Sequence, residues 1–531
     1  MDITHITYWS ETVSFPILSI LTFIPVAAML AVILTSSPVA ALRLGFAGTV
    51  STFLLSVYLL SAFNADLAGI QLYERYQGLG VTYTVGVDGT NILFILLTTT
   101  LALLTLIYTL TARHVSDRTH IASLLGYEAI LIGAFSALNA MQFWLWCFLE
   151  MIPIVLMTLR SGSSQNRRWV VALVLQHFSS GLLMALAGFL MLAFGIMLTT
   201  GVLSFDWLVL KESNVSNEYS TLIFFLLLFG FAIRMPLFPF HAWLPVVAEH
   251  GTIASVGIFL VSLKLGVYAI IRFLIPLLPE VAEEWSWFVT MLGLIGIFYG
   301  ALLAFMQINF RRLIAFAIIS QTGLITVGLF DFSTHGMEGG IVLAISFGMA
   351  TAGILLSLGM IYKRTHTAFI PRLGGMFDTN AAIAVLFVIC ALSTMGMPGT
   401  PGFDGIHLLI DGTIQGQGWL IAIAILFGNV LTVGLLLRAF QQIFIASPKR
   451  FQGPFVNMHQ ASSPPSPRNE WIIAIAICGL LLATGINTSP WLNIIDQNIH
   501  SSSTGNNSHN NTDALRTDKL LATHSMIKKD N

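Results

Sequence analysis

Long apolar stretches separated by short polar segments follow one another along almost the whole chain. A helix needs about 20 predominantly apolar residues to cross the hydrocarbon core of a bilayer. Stretches of about that length lie at roughly 16–36, 42–62, 90–111, 121–138, 140–160, 169–198, 221–245, 251–274, 285–306, 311–331, 338–362, 381–411, 418–443 and 470–488. The pattern predicts an all-α polytopic membrane protein with about 14 transmembrane helices.

Two of the predicted spans are interrupted by proline. Span seven contains RMPLFP at 234–239, and span twelve contains MPGTPGFDG at 397–405. Proline has no backbone N–H, so such a break is tolerated in a membrane only where the freed carbonyls face protein or water. Because the broken spans lie five apart, we expect two inverted five-helix repeats, helices 4–8 at 121–274 and helices 9–13 at 285–443. Paired interruptions of this kind indicate a transport pathway.

The remaining segments follow from composition. Residues 1–120 are predicted to hold helices 1–3, and 470–488 to form helix 14. The proline-rich polar segment 447–469 is predicted to be a mobile linker. The Ser- and Asn-rich segment 498–531 has no apolar periodicity and is predicted to be a disordered tail.

Basic residues are distributed unevenly among the predicted loops. Fifteen of the 24 Lys and Arg residues fall in loops that follow odd-numbered spans, and only Arg75, Lys211 and Arg272 fall in loops that follow even-numbered spans. Cytoplasmic loops carry the excess of positive charge. We therefore expect odd loops to be cytoplasmic and both termini to be non-cytoplasmic.

Composition excludes several classes of function. The chain is 56% hydrophobic and only 9% charged, whereas soluble domains have about 25% charged residues. A net charge of −1 without a basic tract argues against binding to nucleic acid. Cys147, Cys390 and Cys478 are far apart and form no CxxC pair, so no metal, redox centre or other cofactor is expected in this chain. The start of the sequence lacks the basic region of a typical signal peptide.

A few ionisable residues lie within the predicted spans. They are Glu150 in span five, Arg234 at the break of span seven, Lys264 near the middle of span eight, and Asp404, His407 and Asp411 after the break of span twelve. Charges within a membrane are costly and mark ion pathways more often than structural pairs. A buried lysine can gain and lose a proton, whereas arginine keeps its charge. Lys264 is therefore the candidate proton carrier, and Arg234 a fixed countercharge.

Several multi-residue motifs point to one family. FAIRMPLFPFHAWLP at 231–245 with the following span, GVDGTNILFILL at 86–97, INFRRLIAFAIISQTGLITVGL at 308–329 and MGMPGTPGFDG at 395–405 carry the resemblance. Over roughly 80–440 the chain resembles the antiporter-like subunits of respiratory complex I, of the subunit 4 type (bacterial subunit M and its cyanobacterial and plastid counterparts). The resemblance implies a proton path along the mid-membrane plane, with His241 of FHAWLP as a further candidate.

At several functional positions the chain departs from that family. Its span-five glutamate corresponds to Phe148, with Glu150 two residues later, and a shift of two residues turns a side chain by about 200° on a helix. Arg234 replaces a lysine, whereas Lys264 is retained. The family's remaining titrating positions correspond to Gln321, Phe347 and Ile406. Most of the titrating groups are therefore changed.

Three functions stay open at this point. The first is a proton- or sodium-translocating subunit of a complex I-like NAD(P)H:quinone oxidoreductase, in which quinone, NAD(P)H and Fe–S clusters belong to partner subunits. The second is a specialised paralogue in an inorganic-carbon uptake, hydrogenase or Mrp-type cation/proton antiporter complex. The third is a membrane scaffold that does not pump. Each requires other membrane subunits as partners, in a bacterial cytoplasmic or thylakoid-like energy-transducing membrane.

Overall fold

The computed structural model describes residues 6–78, 81–111, 118–161, 167–212, 219–250, 256–446 and 468–496. Almost all of these residues lie in helices that pack side by side, which confirms the predicted fold class. The predicted linker at 447–469 falls largely outside the described residues, and the predicted tail at 498–531 falls entirely outside them.

The helices of the first part of the chain, in order, are α1 (Trp9–Thr12), α2 (Ile17–Leu34), α3 (Pro38–Ala62), α4 (Ile92–Thr111), α5 (Arg118–Ser136), α6 (Ala140–Leu149), α7 (Met151–Ser161), α8 (Arg167–Thr200), α9 (Trp207–Glu212), α10 (Ser220–Arg234), α11 (Trp243–His250) and α12 (Val256–Ala269). A π-helical turn, Ile270–Leu274, continues α12.

The second part contains α13 (Pro279–Glu284), α14 (Ser286–Met306), α15 (Phe310–Leu329), α16 (Thr334–Thr365), α17 (Met376–Thr379), α18 (Ala381–Thr394), α19 (Pro401–Gly416), α20 (Trp419–Phe440) and α21 (Arg468–Ile486). A 3₁₀ turn (Ile370–Arg372), a π-helical turn (Gln441–Ile445) and a helical segment at 489–496 complete the described chain.

Eleven helices within the described ranges are long and apolar enough to cross a membrane. Shorter helices form the other three predicted spans, which are 221–245, 251–274 and 381–411. The total of fourteen and the inverted relation of the two repeats stay predictions.

Both proline-rich interruptions separate two helices, as predicted. Between α10 and α11 the chain leaves the helix over 235–242, and between α18 and α19 over 395–400. In the second break Gly396 and Gly399 have φ of 72° and 85°, in the left-handed region that glycine adopts without strain. Pro401 then starts α19, where its missing N–H costs nothing.

A small sheet was not predicted. Its strands are β1 (Ile6–Tyr8), β2 (Ile70–Gly78) and β3 (Val81–Val87); β1 pairs with β2 in parallel, and β2 with β3 in antiparallel. Valine, threonine and tyrosine dominate β3, which favours strands, but a search for apolar runs passes over such a hairpin. The backbone N–H groups of Leu18 and Ser19 donate to the Glu74 carboxylate (2.8 and 3.1 Å), so the sheet caps the start of α2.

One close helix crossing places the functional side chains. Helices α8 and α10 meet at Gly181 and Gly230, where a Cβ added to Gly181 would lie 2.9 Å from the Gly230 carbonyl oxygen. Arg234 follows Gly230 by about one turn, at the end of α10. The crossing therefore brings its guanidinium 5.3 Å from the ring of Phe178 on α8.

Candidate functional site

Glu150 lies at the junction of two helices in the fifth predicted span. Helix α6 begins after Asn139, whose side chain accepts from the N–H groups of the first turn, and it ends at Leu149. Pro153 has no N–H for the carbonyl one turn earlier, so the helix is irregular at this point. Glu150 is 0% exposed, whereas Phe148 is 45% exposed on the outer surface. The two residues thus face opposite ways, and the carboxylate is the inward one.

Three side chains converge on the Glu150 carboxylate. The Tyr127 hydroxyl on α5 donates to Oε1 (2.9 Å), and the Ser262 hydroxyl on α12 donates to the same oxygen. The Arg234 guanidinium forms an ion pair with Oε2. The carboxylate therefore ties α5, α10 and α12 together. Sequence reasoning missed Tyr127 and Ser262, because a single hydroxyl in an apolar helix carries no distinguishing pattern.

Arg234 is buried, with 6% of its surface exposed. Beside it lies a cavity with a volume of about 20 Å³, enough for about one water molecule. Aromatic residues including Phe143, Phe178 and Phe189 line this cavity. Because arginine stays charged in proteins and Glu150 is its partner, the pair is neutral overall and fixed in place.

Lys264 lies two residues after Ser262 on α12 and is 6% exposed. Its Cε lies 3.7 Å from where a Cβ on Gly348 would be, so the lysine side chain runs along α16. Among the described residues, Lys264 takes part in no ion pair within 4.0 Å. Lys264 is therefore a buried amine on the helix that carries Ser262, and its side chain contacts α16 rather than the Glu150–Arg234 pair.

The corresponding positions of the second half hold neutral groups. Phe347, next to Gly348, is 1% exposed, and Ile406 is 7% exposed. The Thr351 hydroxyl donates to the Gln321 side-chain carbonyl (3.0 Å). These contacts hold the helices together but offer no side chain that changes charge.

Asp404, His407 and Asp411 lie away from the buried face of α19, and their place on a proton path stays a prediction. His407 Nδ1 and Asp411 lie 3.2 Å apart on α19, and their side chains are 64% and 44% exposed. The buried face of α19 is a different stripe, formed by Gly402, Gly405, Ile406, Leu409, Gly412 and Thr413. Spacings of three and four residues therefore place the three ionisable groups on the outer surface.

His241 is buried between α10 and α11. Its ring lies 4.9 Å from Tyr299 of α14 and 5.6 Å from Phe238, measured between ring centroids. Within the described residues, Nδ1 has no hydrogen-bond partner. The surroundings are those of a packed aromatic residue, and its place on a proton path stays a prediction.

Arg272 forms a second buried ion pair, which the sequence did not predict because Arg272 was expected in a loop. Its guanidinium donates to Asp88 (2.6 Å), and both side chains are less than 10% exposed. Trp207 Nε1 donates to the Arg272 carbonyl oxygen (2.6 Å), and its ring lies 4.9 Å from the guanidinium. This pair fixes the end of α12, and so the position of the helix that carries Lys264.

Comparison with known sequences gives one consistent family. Residues 137–432 match the transmembrane family described as NADH:quinone oxidoreductase/Mrp antiporter. The chain is 33% identical over 446 residues to NADH-quinone oxidoreductase subunit M of Rhodobacter capsulatus, covering 80% of this chain and 86% of that relative. It is 30% identical over 451 residues to NADH-ubiquinone oxidoreductase chain 4 of Chondrus crispus, covering 84% and 88%.

Solved structures agree with the sequence relatives. A chain of respiratory complex I from Thermus thermophilus superposes with a TM-score of 0.80 at 26% identity, covering 91% of this chain and 99% of that one. A chain of the Mrp complex from a Dietzia species gives a TM-score of 0.79 at 20% identity, covering 91% and 97%. The second likeness concerns the fold alone.

Proposed function

Because this chain belongs to the NADH:quinone oxidoreductase/Mrp antiporter family, as a subunit of the complex I antiporter-like type, we propose that it moves protons across the membrane in a complex I-like NAD(P)H:quinone oxidoreductase. Redox work in partner subunits drives this movement. Quinone, NAD(P)H and Fe–S clusters belong to those partners. We place the chain in a bacterial cytoplasmic or thylakoid-like membrane, with both termini on the non-cytoplasmic side.

The observation that carries this proposal is a buried lysine, Lys264, on the same helix as Ser262, which hydrogen-bonds the Glu150 of a buried ion pair. Arg234 cannot release a proton under physiological conditions, so it holds Glu150 in the charged form. Lys264 can be neutral or charged, so it can take up a proton and release it. Ser262 connects the two, because it hydrogen-bonds Glu150 and belongs to the helix of Lys264.

The energy for this transfer comes from outside the chain. Moving one elementary charge against a membrane potential of 100 mV costs about 2.3 kcal/mol. The site contains only acids, bases and hydroxyls, which can pass a proton but cannot supply that energy. We therefore propose that a conformational change transmitted from the redox partners supplies this energy.

The outer face of α19 is the proposed contact with a partner subunit. His407 and Asp411 lie side by side on it, with Asp404 about one turn away, and apolar residues such as Phe403 and Ile414 surround them. Exposing charged groups to lipid is costly. A neighbouring transmembrane helix that carries a polar or basic side chain would satisfy this patch.

The neutral residues at the corresponding positions of the second half favour one further candidate function. In this candidate, the chain is a paralogue that keeps the charged residues of the first half, and its proton transfer serves another assembly. Phe347 and Gln321, at two of the positions where the family carries titrating groups, cannot accept and release a proton. The relatives reported above are complex I subunits, so the redox-driven pump remains the preferred function.

Purification of the tagged chain from native membranes in a mild detergent tests the proposal. We expect quinone-reducing subunits to remain bound, and the double variant His407→Leu/Asp411→Leu to retain fewer of them. The matched control is Lys363→Ala, at an exposed position of α16. Recovery of an unrelated soluble enzyme without any redox subunit would contradict the proposed assembly.

A further inference from the structure

Glu128 is a buried acid that the proposed path does not use. It lies in the middle of α5 and is 0% exposed. Neither carboxyl oxygen has a hydrogen-bond partner among the described residues, and none of the ion pairs found there includes Glu128. Its neighbour Tyr127 bonds Glu150, but consecutive residues point about 100° apart on a helix. Glu128 therefore faces a different set of helices.

Helices α2, α3 and α4 pack against α5, and the contacts with α3 give the level of Glu128. A Cβ added to Gly48 would lie 3.4 Å from Leu125, and Ile121 packs one turn earlier against Gly45. The residue numbers increase in both helices from the first contact pair to the second, so α3 and α5 run in the same direction. Glu128 lies one turn beyond Leu125, and Thr52 one turn beyond Gly48, so the two residues lie at the same level of the α3–α5 contact.

Hydroxyl groups surround that level of the bundle. The Ser56 and Thr99 hydroxyl oxygens, one turn beyond Thr52, lie 2.7 Å apart and join α3 to α4. The Thr52 hydroxyl donates to the Gly48 carbonyl oxygen (2.7 Å). Because this hydrogen is already used, Thr52 offers lone pairs to a neighbour, and such an acceptor suits a protonated carboxyl that donates.

Among the described residues, no Lys, Arg or His side chain forms an ion pair with Glu128 within 4.0 Å. The ionisable side chains on the helices that pack around the middle of α5 include Tyr108, Cys147, Glu150, Lys264 and Tyr268. Neither an ion pair nor a hydrogen bond of the described residues joins any of them to Glu128. An isolated carboxylate in an apolar interior is so unfavourable that the group takes up a proton instead.

We propose that Glu128 is a second proton-binding site of this chain, occupied at neutral pH and separate from the Glu150–Lys264 site. The proton sits on one carboxyl oxygen and leaves by transfer to water when the α3–α4–α5 contact becomes hydrated, which leaves a carboxylate behind. The release of that proton into the transport path rests on the proposed function. Its presence on Glu128 does not.

Infrared difference spectroscopy of the full chain in its native assembly tests this directly. Wild-type protein is expected to show a carbonyl stretch of a protonated carboxylic acid that Glu128→Gln removes. Glutamine resembles the protonated acid in shape and charge, so the variant is expected to fold with an unchanged melting temperature. The control is Glu249→Gln, whose carboxylate pairs with Arg312 (3.5 Å) and is expected to leave that band intact.

Three outcomes decide the proposal. Loss of the protonated-acid band in Glu128→Gln alone, at neutral and mildly alkaline pH, supports it. An unchanged band in this variant overturns it. A wild-type band that sodium ions remove also overturns it, in favour of a cation site. Lys264→Ala is expected to leave the band in place, so failure of the proposed transport function and failure of this proposal are distinguishable.

Discussion

The two halves of the bundle share a broken helix but differ in the chemistry beside it. In the first half, the break after α10 places Arg234 against Glu150, which also bonds Ser262 on α12, the helix of Lys264. In the second half, the break before α19 lies among glycine, serine and threonine, and the inward positions are neutral. A broken helix can therefore either position a buried ion pair or allow two helices to pack closely.

Close packing explains the second break. A Cβ on Gly339 of α16 would lie 2.8 Å from the Gly405 carbonyl oxygen of α19, so the two helices touch along their backbones. Ser346 and Ser393 lie 3.3 Å apart between neighbouring helices. Around its broken helix, the second half is thus tightly packed by small neutral residues, whereas the break of the first half holds a buried ion pair.

The largest expected effect comes from separating the buried pair of the first half. Arg234→Met leaves the Glu150 carboxylate buried without its countercharge, which should lower the free energy of unfolding by about 3–5 kcal/mol. The double variant Glu150→Leu/Arg234→Met should recover most of this loss. Thermal unfolding in detergent measures both.

The matched control in the second half is Thr351→Val, which removes one neutral hydrogen bond to Gln321. It should cost about 1–3 kcal/mol. Equal losses from the two variants would contradict the view that charge stabilises the candidate site of the first half, whereas neutral contacts stabilise the corresponding positions of the second.

A titrating side chain placed in the second half tests whether its neutral residues limit proton transfer. Phe347→His puts an imidazole beside Gly348, against which Lys264 packs. Burial of the polar ring should cost about 1–3 kcal/mol of stability. If the neutral second half limits transfer, the variant should raise the rate of redox-driven proton movement. Phe347→Leu is the control, and an equal increase in that variant would show that side-chain size, not titration, matters.

The smallest expected effect concerns Asp331, a buried acid in the turn that follows the membrane-spanning helix α15 and precedes α16. Burial raises the pKa of its carboxyl above the ordinary 3.8, against the effect of hydrogen bonds from Ser333. Because the folded protein holds this proton more tightly than the unfolded chain, this contribution to stability is complete below pH 3.8 and is lost as the pH rises through the raised pKa.

Asp331→Asn should abolish that part of the pH dependence. A tenfold difference in proton affinity between the folded and the unfolded chain corresponds to about 1.4 kcal/mol of stability. Unfolding measured from mildly acidic to neutral pH tests this. Identical curves for variant and wild type would show that Asp331 makes no such contribution.

The sequence allowed the helices and their breaks to be predicted, because apolar runs and prolines act locally. The direction of Glu150 was harder, since an irregular turn before Pro153 decides whether position 148 or 150 faces inward. Asp404, His407 and Asp411 were named as candidates without regard to the face of the helix on which they lie. The glycines at 402, 405 and 412 mark the buried face of that helix, and their spacing indicates that the three ionisable residues lie on other faces. Glu128 was passed over, because it falls in an apolar span without a motif.

The central claim is that Lys264 is the proton carrier of the charged half. Its most direct test is the number of protons moved per quinone reduced, in vesicles that contain the assembled complex with Lys264→Ala, Lys264→Arg or the surface control Lys363→Ala. A positioned acid–base group contributes about 10²–10⁴-fold to proton transfer. If Lys264 carries the proton, both substitutions of Lys264 should lower this ratio, because alanine cannot bind a proton and arginine cannot release one. Lys363→Ala should leave the ratio unchanged. An unchanged ratio in both Lys264 variants, with the assembly intact, would contradict the claim.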